Sequence, residues 1–350
     1  MDKDLFLISE DVTVIEAMEQ IGKCKRNTLF IAENECLKAA ISDGDIRRWI
    51  LKNGSLDEKI CNVANYNPKF LLGNERDKAL EFMKKHQIAA VPIVDEKRRI
   101  VDVVTLYENA QMVVKKDLTL PVVIMAGGLG TRLYPYTKIL PKPLIPIGDI
   151  PIIERIIDAF CEYGCKDFYI IVNYKKNMIK AYFNETEHPY NVYFIDEDKP
   201  LGTGGGLSLL KGKIDEPFIL TNCDILIDAD YSDIYKHHSE NENKVTMVCS
   251  LMDFEVPYGV IDIDEKGKIS KMREKPKFRF LTNTGMYFVD PSVIASIPDD
   301  TVIGFPDVIE NLKKGNENIG IYPVSESSWM DMGQMEKMNE MELKVSKKNV

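Results

Sequence analysis

The chain opens with one hydrophobic pattern written twice. VTVIEAMEQI (12–21) spaces its apolar residues three and four apart, as a helix with one buried face does. TLFIAENECLKAAISDGDI (28–46) then places two apolar runs around a polar turn, the pattern of paired strands leading into a helix. The same succession returns as ERDKALEFMKKH (75–86) and AVPIVDEKRRIVDVVTLYE (90–108). Ala17 matches Ala79 and Phe30 matches Pro92 at an offset of 62, while Ser42 matches Thr105 at 63, after one extra residue in the turn. Each half predicts helix, strand, turn, strand and a helix start, so the duplication belongs to structure rather than composition. It fills 1–118, with copies at about 1–62 and 63–118.

After a short polar joint, KKDLTLP (115–121), the pattern changes. Apolar strands PVVIMA (121–126), DFYIIVN (167–173), NVYFIDE (191–197) and PFILTNCD (217–224) alternate with helical stretches at 151–164, 178–184 and 204–211. This predicts a second domain over 119–350, of α/β class, with an open sheet that binds ligands at the carboxyl ends of its strands. VTMVCSLM (245–252), YGVIDID (258–264), TGMYFVD (284–290) and NIGIYPV (318–324) also read as strands and are expected to complete a mixed sheet.

The most informative chemistry follows the first of these strands, in IMAGGLGTRLYPYTKILPKPL (124–144). Gly127, Gly128 and Gly130 allow backbone N–H groups to close on an anion, Thr131 adds a hydroxyl, and Arg132 and Lys142 add fixed positive charge. It is not a Walker A loop, because no GxxxxGK followed by Ser or Thr follows the strand. Nor is it a dinucleotide fingerprint, which needs a small residue where Leu133 stands.

Bulk properties narrow the remaining classes. A net charge of −10 argues against nucleic acid or an anionic membrane as partner, so positive charge at an anion site must be local. No apolar run approaches a membrane span, and the N-terminus has no signal pattern. The seven cysteines form no CxxC pair, as expected of reduced thiols in a cytoplasmic protein.

The glycines, Arg132 and the PKP at 141–143 resemble the GGxGTR…PKP loop of the sugar-1-phosphate nucleotidyltransferases, and the duplicated segment resembles a tandem pair of CBS modules. The first resemblance covers about 120–340 and implies a Rossmann-like mixed-sheet fold of the GT-A-like type. It also implies Mg²⁺ as cofactor on Asp224, which closes an apolar strand, and Asp331, which lies in WMDMG (329–333). Arg132 and Lys142 become the catalytic cations. Gly259 of PYGV, Glu274 and Lys275 of EKP, and Asn283 and Thr284 of NTG become the sugar-phosphate contacts. Substrates would be a nucleoside triphosphate and a sugar 1-phosphate. The CBS resemblance implies an adenine nucleotide held by Ser42 and Asp45, a regulatory role, and assembly of a homo-oligomer. The second copy carries Glu108 where the first has Asp45. Ser-x-x-Asp is equally what an ordinary helix N-cap looks like.

EDKPLGTGG (197–205) resembles the family's base-reading segment, with Gly202 and Thr203 beside the nucleotide. An ionised Glu197 only accepts hydrogen bonds. Guanine presents two adjacent donors, whereas uracil presents one N–H between two carbonyls, so GTP is favoured. A CBS pair ahead of such a domain resembles the bacterial glucosamine-1-phosphate guanylyltransferases of legionaminic acid synthesis. The alternatives are a uridylyl- or cytidylyltransferase acting on a hexose 1-phosphate, and a sensor that binds these ligands without turnover.

Overall fold

The computed structural model describes residues 3–24, 28–86, 88–105, 118–333 and 335–346, and the chain forms two compact units, Met1–Val114 and Lys115–Val350. The first unit contains two three-stranded sheets. β1 (Leu7–Ile8), β2 (Thr28–Glu33) and β3 (Cys36–Ser42) make one; β4 (Leu71–Leu72), β5 (Ala90–Val94) and β6 (Ile100–Thr105) make the other. In each, the first pair is parallel and the second antiparallel. The duplication reaches fine detail: the β2–β3 ladder slips between Ile31 and Ala32, and the β5–β6 ladder between Ile93 and Val94, 62 residues later. Ala17 and Ala79 are both buried in the helices Val14–Cys24 and Ala79–His86. Both copies share one apolar core, in which Phe6, Phe30 and Leu37 pack with Val94, Ile100 and Val103. Glu108 lies outside the described residues.

The second unit is built on a seven-stranded mixed sheet of order β11-β10-β7-β12-β17-β14-β18. These strands are β7 (Val122–Met125), β10 (Asp167–Val172), β11 (Asn191–Asp196), β12 (Phe218–Asn222), β14 (Val245–Glu255), β17 (Lys277–Val289) and β18 (Ile319–Val324). Three short antiparallel ribbons flank them: β8 (Pro146–Ile147) with β9 (Ile150–Pro151), β13 (Ile225–Ile227) with β19 (Trp329–Asp331), and β15 (Val260–Ile263) with β16 (Ile269–Arg273). Strand alternation divides the core in two, as a sheet covered on both faces requires. Val122 and Ile124 join one cluster with Ile156 and Phe160 of the helix Ile152–Cys161. Val123 joins the other, with Leu207, Leu210 and Val308.

Two expectations need correction. YGVIDID does not enter the main sheet; Val260–Ile263 pairs with Ile269–Arg273 in a separate ribbon. The stretch expected to be one helix over 204–211 is a short α-turn at Gly202–Gly205 followed by a 3-10 turn at Gly206–Leu210. Consecutive glycines have the poorest helix propensity after proline, and here they serve a close backbone contact. Among the described residues no helix is long and apolar enough to cross a membrane.

Candidate active site

From β7 the chain proceeds to β10 and β11 on one side, then returns to place β12 on the other. The carboxyl end of β7 is therefore a topological switch point, where open α/β sheets hold ligands. The glycine loop leaves the sheet there. Gly130 takes a left-handed φ of 64°, and a Cβ on it would lie 2.8 Å from Thr137 Cγ2. Thr137 Oγ1 donates to the Gly130 carbonyl at 2.8 Å, folding the arm back on the loop. The turn Thr131–Leu133 buries Leu133 and leaves Arg132 exposed.

β12 delivers Asn222 and then Asp224 to the same end of the sheet. The β13–β19 ribbon pairs Ile225 with Asp331, and the Met332 N–H donates to the Asp224 carbonyl at 2.8 Å. Two aspartates far apart in sequence are thus neighbours. Asp331 is oriented by the Gly333 N–H, which donates to its Oδ1 at 2.7 Å. The Lys142 ammonium sits on Oδ2 of Asp224, with both side chains only 16% exposed. A cleft of about 310 Å³ opens here, lined by Arg132, Asn222, Asp224, Asn283, Tyr287 and Asp331 among others. Two carboxylates on one cleft, one already holding a cation in the form of Lys142, fit Mg²⁺, which takes few protein ligands and completes its shell with phosphate oxygens and water. Among the described residues no cluster of three or more His, Cys, Asp or Glu could hold a metal without such help.

Glu197 lies just beyond β11 and is 5% exposed. Its carboxylate accepts from the Leu201 N–H at 3.4 Å and sits between two glycines. A Cβ on Gly127 would lie 2.6 Å from Oε2, and one on Gly206 2.9 Å from Oε1. Burial raises its carboxyl pKa above the ordinary carboxylate value, with the Leu201 N–H opposing. The glycine loop and Glu197 are therefore in direct contact, while neither lines the cleft of the aspartates.

The glycine stripe that follows is a packing device. Gly204 and Gly205 N–H groups donate to the Ile303 carbonyl at 2.9 and 3.0 Å. Thr203 lines the cleft, and its Oγ1 accepts from the Phe305 N–H at 3.0 Å, capping the helix Phe305–Lys314. Gly202 has a φ of +78° and lies against the same carbonyl.

The sugar-phosphate candidates divide into two groups. Asn283 and Thr284 line the cleft, but their polar atoms are already engaged. Asn283 Nδ2 donates to the Tyr287 hydroxyl at 2.6 Å and its Oδ1 accepts from the Gly285 N–H at 2.9 Å. Thr284 is buried, and its hydroxyl donates to the Val248 carbonyl at 2.8 Å. Gly259, Glu274 and Lys275 are exposed on the loops bordering the β15–β16 ribbon, outside the cleft lining. They are close to one another, since a Cβ on Gly259 would lie 3.1 Å from Glu274 Oε2. Lys275 holds a left-handed φ of 44° directly before Pro276, a costly conformation of the kind that gathers at ligand sites. Sequence reasoning missed Asn222, Tyr287, Phe305 and Trp329 as lining residues. TNCD and WMDMG carried a signal for Asn222 and Trp329, each two positions before a singled-out aspartate. Nothing marked Phe305.

In the first unit, Ser42 and Asp45 form a reciprocal capping box at the start of the helix Asp43–Leu51. Asp45 Oδ2 accepts from the Ser42 N–H at 2.9 Å and the Ser42 hydroxyl at 2.6 Å, and Arg48 occupies Oδ1.

The model of the family described as nucleotidyl transferase matches residues 121–348, and the CBS domain model matches 76–108. The mannose-1-phosphate guanyltransferase of Debaryomyces hansenii is 34% identical over 228 residues, which is 60% of this chain and 60% of that protein. The chain thus spans about 60% of the length of the curated relatives it matches. Among solved structures, HddC from Yersinia pseudotuberculosis is 26% identical, with a TM-score of 0.51 over 65% of this chain and 99% of that one. HddC complexed with GMP-PN gives 25% identity, the same TM-score and the same coverage. With the family match spanning well over half of its length, the chain belongs to the nucleotidyl transferase family and carries a CBS segment ahead of that domain.

Proposed function

We propose that this chain transfers a nucleoside monophosphate from an NTP, with GTP preferred, to a sugar 1-phosphate, releasing pyrophosphate and a nucleotide sugar. The observation that carries the reading is the convergence of Arg132, Asp224 and Asp331 on one cleft at the sheet's switch point, with Lys142 on Asp224. A phosphate oxygen of the sugar 1-phosphate attacks the α-phosphorus in line, and the bond to pyrophosphate breaks. The nucleophile has a second pKa near 6, so it is already ionised at neutral pH and requires no general base. The work falls on positioning and on charge. Arg132 faces the triphosphate and the departing pyrophosphate. Lys142 exchanges the Asp224 carboxylate for phosphate oxygens, and Lys275 holds the incoming phosphate. Mg²⁺, when bound by Asp224 and Asp331, supplies charge neutralisation to the phosphates.

Glu197 supports GTP over UTP, because its carboxylate lies against the glycine loop and can accept from two adjacent donors. The guanyltransferase name of the Debaryomyces hansenii relative and the GMP-PN bound to HddC point the same way. Glucosamine 1-phosphate is the first sugar to test, and we place the reaction in the cytoplasm. For the first unit we propose a regulatory adenine nucleotide at Ser42 and Asp45 and a part in homo-oligomer assembly; such a ligand must displace Arg48 from Asp45. Mass spectrometry of the products from GTP with glucosamine, glucose and mannose 1-phosphates tests the transfer. A GDP-sugar from one of them is expected, and the absence of any overturns the reading.

A further inference from the structure

The segment joining Arg132 to Lys142 has little apolar anchorage. Leu133, Thr137 and Pro141 are buried, but Tyr134, Tyr136 and Ile139 are 44%, 46% and 73% exposed. Its short helix, Tyr136–Ile139, ends in carbonyls with no partner inside so brief an element. The lysine just beyond β10 meets two of them: Lys175 Nζ donates to the Lys138 carbonyl at 2.6 Å and to the Ile139 carbonyl at 2.8 Å. Its neighbour Tyr174 adds longer contacts, its hydroxyl donating to the Thr137 carbonyl and its N–H to the Gly127 carbonyl, both at 3.4 Å. The backbone is bent to allow this. Lys175 has φ 52° and ψ 32°, a left-handed conformation uncommon outside glycine and asparagine, at the start of the helix Lys176–Glu185, where its side chain makes no cap. The Lys175 ammonium thus engages carbonyls of a distant segment instead of its own helix.

We propose that Lys175 is a positioning residue that latches the 136–142 arm, fixing Lys142 and Arg132 in the geometry the phosphates require. Lys175 does not touch substrate; it acts through the arm. The kinetic part of this proposal rests on the transfer reaction proposed above, whereas the latch itself does not.

Two variants separate the ammonium from the turn. Lys175→Asn keeps a residue that tolerates the left-handed backbone and removes the ammonium; Lys175→Arg keeps the charge. Hydrogen–deuterium exchange on the full chain reads the latch without turnover. In Lys175→Asn, amides of the 138–142 stretch should exchange about tenfold faster, as expected where charged hydrogen bonds tether a sparsely packed segment. kcat should fall about tenfold, with KM for the NTP within about twofold and Tm within about 1 °C of wild type. Lys175→Arg should recover both exchange and kcat to within about threefold of wild type. Unchanged exchange in Lys175→Asn overturns the latch, as does an arginine variant no better than the asparagine one. If wild type itself yields no pyrophosphate, the transfer reaction fails while the exchange result still decides the latch. If wild type turns over and Lys175→Asn matches its kcat, the positioning role fails.

Discussion

Replacing Glu197 by glutamine should move stability and activity in opposite directions. Glu197 is 5% exposed, its carboxylate wedged between Gly127 and Gly206 and accepting a 3.4 Å hydrogen bond from the Leu201 N–H. Burial raises its pKa, so the fold disfavours the charged form that guanine would require. A raised carboxyl pKa costs the folded state nothing below the unfolded value of about 4.5, and costs progressively more as pH climbs through the folded value. Glutamine keeps the shape and removes the charge, so at pH 7 Glu197→Gln should raise Tm. That gain should shrink as pH falls toward 4.5, because burial favours the protonated wild-type side chain there. Activity should go the other way. Losing the acceptor for one of two adjacent guanine donors removes a charge-assisted hydrogen bond of about 1.5–3 kcal/mol, so kcat/KM for GTP should fall roughly 10- to 150-fold while that for UTP holds or rises. The assay is differential scanning fluorimetry at pH 4.5 and 7 beside steady-state pyrophosphate release with GTP and UTP. A lower Tm at pH 7, or a GTP kcat/KM within about threefold of wild type, refutes the role given to Glu197.

Three further outcomes are expected. Gly205→Ala should destabilise the second unit by about 1–3 kcal/mol in urea unfolding, because its Cβ would fall 2.1 Å from the Thr301 carbonyl oxygen; an unchanged midpoint contradicts the packing. His238 is 4% exposed, paired with Thr246 Oγ1 at 2.9 Å and held near pKa 4 by burial, with His237 and Lys244 adding to the effect and Asp290 opposing it. Its neutral form therefore contributes stability that is full above pH 6.5 and is lost as pH falls toward 4, up to about 3 kcal/mol, and His238→Gln should flatten that slope in unfolding curves. Arg132→Ala should lower kcat by about 10²–10³-fold with Tm unchanged, since the side chain is exposed; a comparable fall in Tm assigns Arg132 to folding instead.

The elements that position the site were legible because their patterns are long and strongly apolar. Val122–Met125, Asp167–Val172 and Phe218–Asn222 stand where the runs PVVIMA, DFYIIVN and PFILTNCD predict strands. The repeat was legible because equal spacing reflects equal structure, down to the matched ladder slips after Ile31 and Ile93. Other features depend on tertiary partners that a local pattern does not carry. Val260–Ile263 alternates like any strand, and nothing in that alternation says it pairs with Ile269–Arg273 instead of the central sheet. Gly202 and Thr203 read as nucleotide contacts and 204–211 as a helix, yet Gly204 and Gly205 donate to the Ile303 carbonyl and Thr203 caps the helix Phe305–Lys314, some hundred residues on. Lys175 gave no signal in NYKK, because its significance lies in two carbonyls brought near by folding. The Lys142–Asp224 pair was equally invisible: both residues were singled out for phosphate and metal, and the structure joins them to each other.

Nucleotidyl transfer from an NTP to a sugar 1-phosphate frees pyrophosphate, and its release measures the reaction directly. The full chain, incubated with Mg²⁺, each of ATP, CTP, GTP and UTP, and a panel of hexose and heptose 1-phosphates, should release pyrophosphate in a GTP reaction, with one GDP-sugar formed per pyrophosphate. Turnover confined to UTP or CTP contradicts the guanine assignment, and no pyrophosphate with any pair contradicts the reaction itself.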